Sequence, residues 1–232
     1  MTATFHSKRK EIFEKQGERL ITVLALLLAF LMFVGAPLMT FGGFTFHIIG
    51  GVTILAMIVV AIILSGSLIV LAPMVVAFCM SGAAVILRAV SPSDLDIYLS
   101  ASAWLILSAL WAWIVARMVF GPGRVTVHRI IGAIFLYLLV AMVFACLYMI
   151  IGVGDPKAFS GLVVEDSTEN AAHLIYFSLT TLTTAGYGDI VPVAPFARAL
   201  SNMESAFGAL YPATLIARLV SLEIEGRSKP DQ

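Results

Sequence analysis

Charge is what this sequence has least of. Asp, Glu, Lys and Arg make up 12% of its 232 residues, about half the usual share in a soluble domain. Fourteen basic side chains balance fourteen acidic ones, so no basic excess marks a nucleic-acid partner, and none is expected. Only two cysteines occur, Cys79 and Cys146, both within apolar runs. That placement suits small buried hydrophobes better than a disulfide framework. His6, His47 and His128 are too scattered to form a metal site, and His173 reads as an interfacial histidine. No phosphate loop and no nucleophile, base and carboxylate set occurs, so neither enzyme chemistry nor a cofactor is expected. A short apolar stretch with a small-residue cleavage site is lacking too. The first apolar run starts near Leu20, is long enough to span, and reads as retained.

What fills the sequence instead is apolar length. Hydrophobic residues reach 60% and the mean hydropathy is +1.02. A hydrocarbon core of ~30 Å takes about 20 apolar residues as helix. Leu20–Met39 is a first span by that measure. His47–Val90 runs for 44 residues and divides into two helices around Ser65-Gly66-Ser67. Ile97–Val119, Ile130–Val153 and Phe196–Leu222 complete the set. The expected fold is all-α, a polytopic membrane protein with six transmembrane helices plus one re-entrant helix and loop. The lysine and arginine bias agrees. With six spans and an inner N-terminus, only Arg88, Lys157 and Arg198 of the 14 basic residues face outward. Both termini are then cytoplasmic. A single span over His47–Val90 would put the N-terminal basic cluster opposite Arg124 and Arg129.

The segment between the last two spans differs in kind. Gly154–Glu169 is polar and acidic, with Asp155, Glu165, Asp166 and Glu169. Asp166 and Glu169 are placed to cap the helix that follows. That helix, Asn170–Thr183, is only about 21 Å long at 1.5 Å per residue, enough to enter a bilayer and not to cross it. Then comes Thr184-Ala185-Gly186-Tyr187-Gly188-Asp189, poor in side-chain ligands and rich in main-chain carbonyls. Irregular backbone at membrane depth is tolerated only inside protein or beside water. Glycines permit dihedrals closed to other residues, so successive carbonyls can turn the same way and bind a hard monovalent cation. One strand cannot encircle an ion, so several copies must.

This stretch resembles the selectivity filter of potassium channels, whose loops read Thr-Val-Gly-Tyr-Gly. The resemblance covers about residues 128 to 222. It includes a preceding short helix with Tyr176 and Phe177 near its middle, Asp189 after the filter, Arg198 nine residues on and Gly208 ten beyond that. It implies a homotetramer in a cell inner membrane that conducts K+ passively. The carbonyls of Thr184, Ala185, Gly186 and Tyr187 and the Thr184 hydroxyl would bind the ion, and Gly188 would support the outer mouth. It divides the chain into a basic segment (1–19), a four-helix membrane domain (20–120), a linker (121–129), a pore domain (130–222) and a tail (223–232). Within the pore domain lie the pore helix (170–183), the filter (184–188) and the inner helix (196–222). The tail leaves no room in this sequence for a soluble regulatory domain. One departure stands out. Ala185 replaces the usual valine, and losing two methyls removes about 1.5 kcal/mol of contact per subunit. That loss keeps a weakly selective cation channel open as an alternative. A potassium-uptake transporter subunit is a further one, although such chains show several filter-like segments.

Other residues take roles from the same frame. Asp189 and the acidic outer residues would concentrate cations, and Asp189 is expected to bond to the pore-helix region. Glu204 is an ionisable group within a span, a functional candidate by default. It is expected to support the filter through pore-helix threonines such as Thr180 or Thr181, with cavity lining as the other reading. Gly208 and Pro212 weaken the last helix and suit a gate or hinge; close helix packing also calls for glycine. The fourth span lacks repeated arginines and holds only Arg117 at its rim. Each charge moved through the field is worth ~2.3 kcal/mol per 100 mV, so weak voltage dependence is expected. The segment Ser7–Arg19, with Ile12 and Phe13 on one side, suits the inner leaflet surface.

Overall fold

The computed structural model describes residues 20–36, 53, 55–57, 59–60, 68–121, 126–164 and 169–227. The expected turn at Ser65-Gly66-Ser67, the basic segment 1–19, Pro122-Gly123, the Asp166 cap and the end of the tail lie outside them. Six helices are described at length: α1 (Leu20–Gly35), α2 (Leu68–Val90), α3 (Asp94–Phe120), α4 (Val127–Gly154), α5 (Glu169–Leu182) and α6 (Pro195–Arg227). Residues 53, 55–57 and 59–60 are also helical. The chain is thus mostly helical, as expected, but with one addition. Phe159–Ser160 (β1) and Val191–Pro192 (β2) pair antiparallel, Phe159 opposite Pro192 and Ser160 opposite Val191. Among the described residues, α3, α4 and Leu71–Val90 of α2 are long and apolar enough to cross a membrane. α6 carries Arg198, Asn202, Glu204 and Arg218 along its length.

α3 packs between α2 and α4, and α5 between α4 and α6. The reason is visible in the spacing. Ala103, Leu107, Trp111, Val115 and Val119 recur every fourth residue of α3, and all are buried. Such a row forms a ridge that seats in the groove of a neighbouring helix. Trp111 meets Phe135 of α4 at 6.3 Å between ring centroids. On α1, Ile21, Leu24, Leu28 and Leu31 make the corresponding stripe. Opposite faces carry exposed Val75, Phe78, Ile86 and Trp113, as lipid-facing surfaces do. Because lipid is as apolar as leucine, it is close fit and dispersion that hold these helices together.

The helix ends are fixed by polar groups. Pro92 in Ser91-Pro92-Ser93 lacks the N–H needed to continue α2. The Ser93 N–H donates to Asp96 Oδ1 at 2.8 Å, closing the first turn of α3. Asp96 Oδ2 accepts from Arg88 Nη1 at 2.7 Å, so one buried carboxylate starts α3 and ties it to α2. At the other end, Arg129 Nε donates to the Val119 carbonyl at 2.8 Å and Nη2 to that of Gly121. A cation there answers both the orphan carbonyls and the negative end of the α3 dipole. Thr126 accepts the Arg129 N–H at 3.2 Å and starts α4. The linker expected over 121–129 is accordingly shorter, because α4 begins at Val127.

Candidate functional site

The C-terminal end of α5 is where the irregular stretch begins, and its carbonyls can be fully accounted for. A helix leaves its last four carbonyls without helical partners. Here Leu179 O accepts from the Thr183 N–H at 3.0 Å and from Thr183 Oγ1 at 2.7 Å. Thr180 O accepts from two N–H groups, Ala185 at 2.9 Å and Gly186 at 3.1 Å. Thr181 O accepts from the Thr184 N–H at 3.0 Å and from Ser205 Oγ of α6 at 3.3 Å. Leu182 O accepts from Tyr137 Oη of α4 at 2.9 Å. Every orphan carbonyl is used, and the N–H groups of three successive residues, 184 to 186, point back at the helix.

The dihedrals complete the picture. Thr184, Gly186 and Gly188 have φ of 58°, 53° and 81°, while Ala185 and Tyr187 between them do not have positive φ. Alternating handedness keeps successive peptide planes turned to one side rather than alternating as in a strand. For a β-branched threonine, positive φ is an outlier that its surroundings must hold in place. No side chain within 4 Å would obstruct a Cβ at Gly186 or Gly188. It is the backbone conformation, and not space, that asks for glycine there. Residues 183–189 are exposed, Tyr187 at 73%. Ala185 is exposed too, so its methyl is not packed beneath α5.

The far side of the stretch is strapped down. Tyr187 stacks on Tyr176 of α5, the rings 6.2 Å apart and 2° from parallel. The Tyr176 hydroxyl is hydrogen-bonded to Asp189, so Asp189 does meet α5. Beyond it, β2 pairs with β1, and the N–H groups of Val193 and Ala194 both donate to Ala158 O, at 2.8 and 3.1 Å. Arg198 Nε donates to Pro192 O at 3.1 Å. At Gly161, φ is +84° and an added Cβ would lie 1.9 Å from Asp189 O, so a side chain there would push on the exit of the stretch.

Glu204 projects from α6 into the space behind α5 and is fully buried. Its Oε2 accepts from Tyr148 Oη of α4 at 2.7 Å, and its Oε1 lies 2.5 Å from Ser178 Oγ of α5. The bond expected from Thr180 or Thr181 is therefore made by Ser178. Thr180 Oγ1 instead bonds back to its own helix at Phe177 O, at 3.0 Å, a competition common for threonine. Tyr148, Ser178, Ser205 and Tyr137 carry no motif. Their one signal is a hydroxyl within an apolar helix, which needs a partner when buried.

Gly208 and Pro212 sit within an uninterrupted α6. An added Cβ at Gly208 would fall 1.8 Å from Leu182 O, so glycine here serves the close approach of α6 to the end of α5. Pro212 lacks the N–H that would pair with the Gly208 carbonyl one turn back. Next to it, Tyr211 Oη donates to Ala133 O of α4 at 2.8 Å. No group of three His, Cys, Asp or Glu side chains gathers among the described residues.

Residues 132–224, about two-fifths of the chain, match the sequence model of a family described as ion channel. The match takes in α4, α5, the irregular stretch and α6 almost to its end. No curated protein matches the chain. The chain thus joins helices long and apolar enough to cross a membrane to a C-terminal part that is similar to ion-channel domains.

Proposed function

We propose that the chain forms a passive, potassium-selective channel as a homotetramer in the cell inner membrane, with both termini cytoplasmic. In this reading the chain crosses the bilayer six times, and α5 re-enters it between α4 and α6. What carries the reading is the alternation of φ at Thr184, Gly186 and Gly188 together with the N–H groups drawn back to Thr180 and Thr181. Amides held on one side free the carbonyls of Thr184, Ala185, Gly186 and Tyr187 to face an axis on the other. A ring of such carbonyls replaces the hydration shell of K+. Thr184 adds its hydroxyl, and Gly188 supports the outer mouth. Exposed polar backbone and a bare tyrosine are not tolerated by lipid, so further copies of the chain must cover residues 183–189.

Tyr176, Asp189, Thr180, Thr181, Ser178 and Glu204 support the filter from behind. Gly208 keeps α6 against α5, and the missing bond at Pro212 makes that turn the place where the inner helix bends. Gating by voltage is weak. Arg117, the one basic residue of α3, lies over the Trp113 ring at 4.7 Å, an interfacial anchor rather than a moving charge. Liposomes holding the purified chain should pass potassium and hold back sodium and lithium. Absence of any flux would overturn the channel reading.

A second reading, a weakly selective cation channel, is favoured by Ala185, whose small side chain leaves the filter less buttressed. Reversal potentials of wild type and Ala185→Val in mixed potassium and sodium separate the two. Under the main reading, the valine sharpens selectivity and slows the decay of current. Identical selectivity and kinetics would show that position 185 has no such role.

A further inference from the structure

The hydrogen bonds around Glu204 hold more acceptors than donors unless the carboxyl itself carries a proton. Ser178 Oγ has a single hydrogen. Yet it lies 2.7 Å from the Ala141 carbonyl of α4 and 2.5 Å from Glu204 Oε1, both at donor–acceptor distance. The hydrogen can serve one of them. If Glu204 were a carboxylate, Ser178 and Tyr148 would be its donors, and a full negative charge would sit buried in a membrane protein. The groups that face it are Tyr148 and, farther off, Tyr137 from α4, and Ser178 from α5. None is a cation, and among the described residues the single salt bridge is the distant pair Arg88–Asp96. Hydroxyls alone do not offset the burial of a charge.

We propose that Glu204 is a neutral carboxylic acid, protonated on Oε1, and that it is the positioning residue joining the inner helix to the pore helix. With that proton every partner falls into place. Tyr148 Oη donates to Glu204 Oε2. Glu204 Oε1 donates to Ser178 Oγ, which then spends its own hydrogen on the Ala141 carbonyl. The bonds run in one direction from α4 to α6, then to α5, ending on the backbone of α4. No donor is left over and no acceptor is shared.

The chain has a built-in consequence for filter support. Ser178 lies two residues before Thr180, whose carbonyl holds the amides of Ala185 and Gly186. A directional lock at Ser178 therefore fixes the rotation of α5 that aims those amides. This role rests on the channel reading proposed above; the protonation does not.

Infrared spectroscopy of the full chain in lipid at neutral pH reads the proton directly. Wild type should show the carbonyl stretch of a protonated carboxylic acid, shifted by 13C-glutamate labelling and by D2O, and lost in Glu204→Gln. No such band, or a band that survives in Glu204→Gln, overturns the proposal. If the variant does not assemble, the 13C-glutamate shift in wild type decides alone, because solvated glutamates are ionised at neutral pH. Potassium flux in liposomes reads the positioning role. Glu204→Gln keeps one acceptor for Tyr148 and one donor for Ser178, so its flux should match wild type, whereas Glu204→Leu should lose it. Equal flux in wild type, Gln and Leu overturns positioning. A protonated band in a protein without flux supports the neutral acid and removes the channel reading instead.

Discussion

The two halves of this molecule are held by different forces. From α1 to α3, the side-chain bonds described between helices sit at the helix ends: Arg88 with Asp96, Arg129 with the end of α3, and Thr22 with His128 at 3.1 Å. From α4 to α6 the side-chain bonds lie mid-helix and link different helices, through Tyr137, Tyr148, Ser178, Glu204, Ser205 and Tyr211. Apolar packing in lipid fixes a helix approximately, since one methyl slides past another at little cost. A hydroxyl 2.7 Å from a carboxyl fixes both distance and rotation. Among the described residues, it is the half that aims backbone atoms in the proposed reading that carries directional bonds between the bodies of its helices.

Two glycines give the sharpest test of that contrast. Gly208→Val drives a side chain into the Leu182 carbonyl, where backbone cannot yield. We expect the largest effect here: destabilisation of about 3 kcal/mol, the upper range for overpacking, seen as lost flux and lowered thermal stability in detergent. Next comes Tyr148→Phe, which keeps the edge-to-face contact with Phe177 at 4.9 Å but removes the donor to Glu204. A buried acceptor left unmet should lower stability by about 2 kcal/mol in a denaturation curve. In the other half, Asp96→Ala removes both the start of α3 and the Arg88 pair. The loss there should be about 1 kcal/mol by the same curve, with flux kept, because the site is solvated on the Arg88 side. Smallest is Gly82→Ala on α2, where no atom lies within 4 Å of the new Cβ. Helix propensity alone should raise stability by up to about 1 kcal/mol. A large loss at Gly82, or none at Gly208, would mean that the halves do not differ as described.

How much of this was legible beforehand depended on whether a feature is local in the chain. The short helix and the carbonyl-rich stretch stand out because length and glycine placement are local, and α5 begins one residue from its expected start. The capping pair of Ser93 and Asp96 is equally local, three residues apart just after Pro92. Glu204 was legible as a residue with a role, but its partner was not. Choosing Ser178 over Thr180 depends on how α5 is rotated against α6, and Thr180 had a carbonyl of its own helix within reach. At Gly208, loosening the helix and close packing were both available from sequence, and the approach of Leu182 singles out packing. Arg129 read as an inner-side charge; its work on the α3 carbonyls exists only once α3 and α4 lie side by side.

The φ values at Thr184, Gly186 and Gly188 also bear on stereochemistry. A chain whose residues alternate in sign of φ is one that mirror-image amino acids would build without effort at every second position. Protein synthesis offers only one hand, and glycine, having no hand, is its nearest substitute. Two of the three mirror positions use that substitute. Thr184 is the exception, an L-residue in a place shaped for its mirror image, kept there by the hydrogen bond from its N–H to the Thr181 carbonyl and by the helix end behind it.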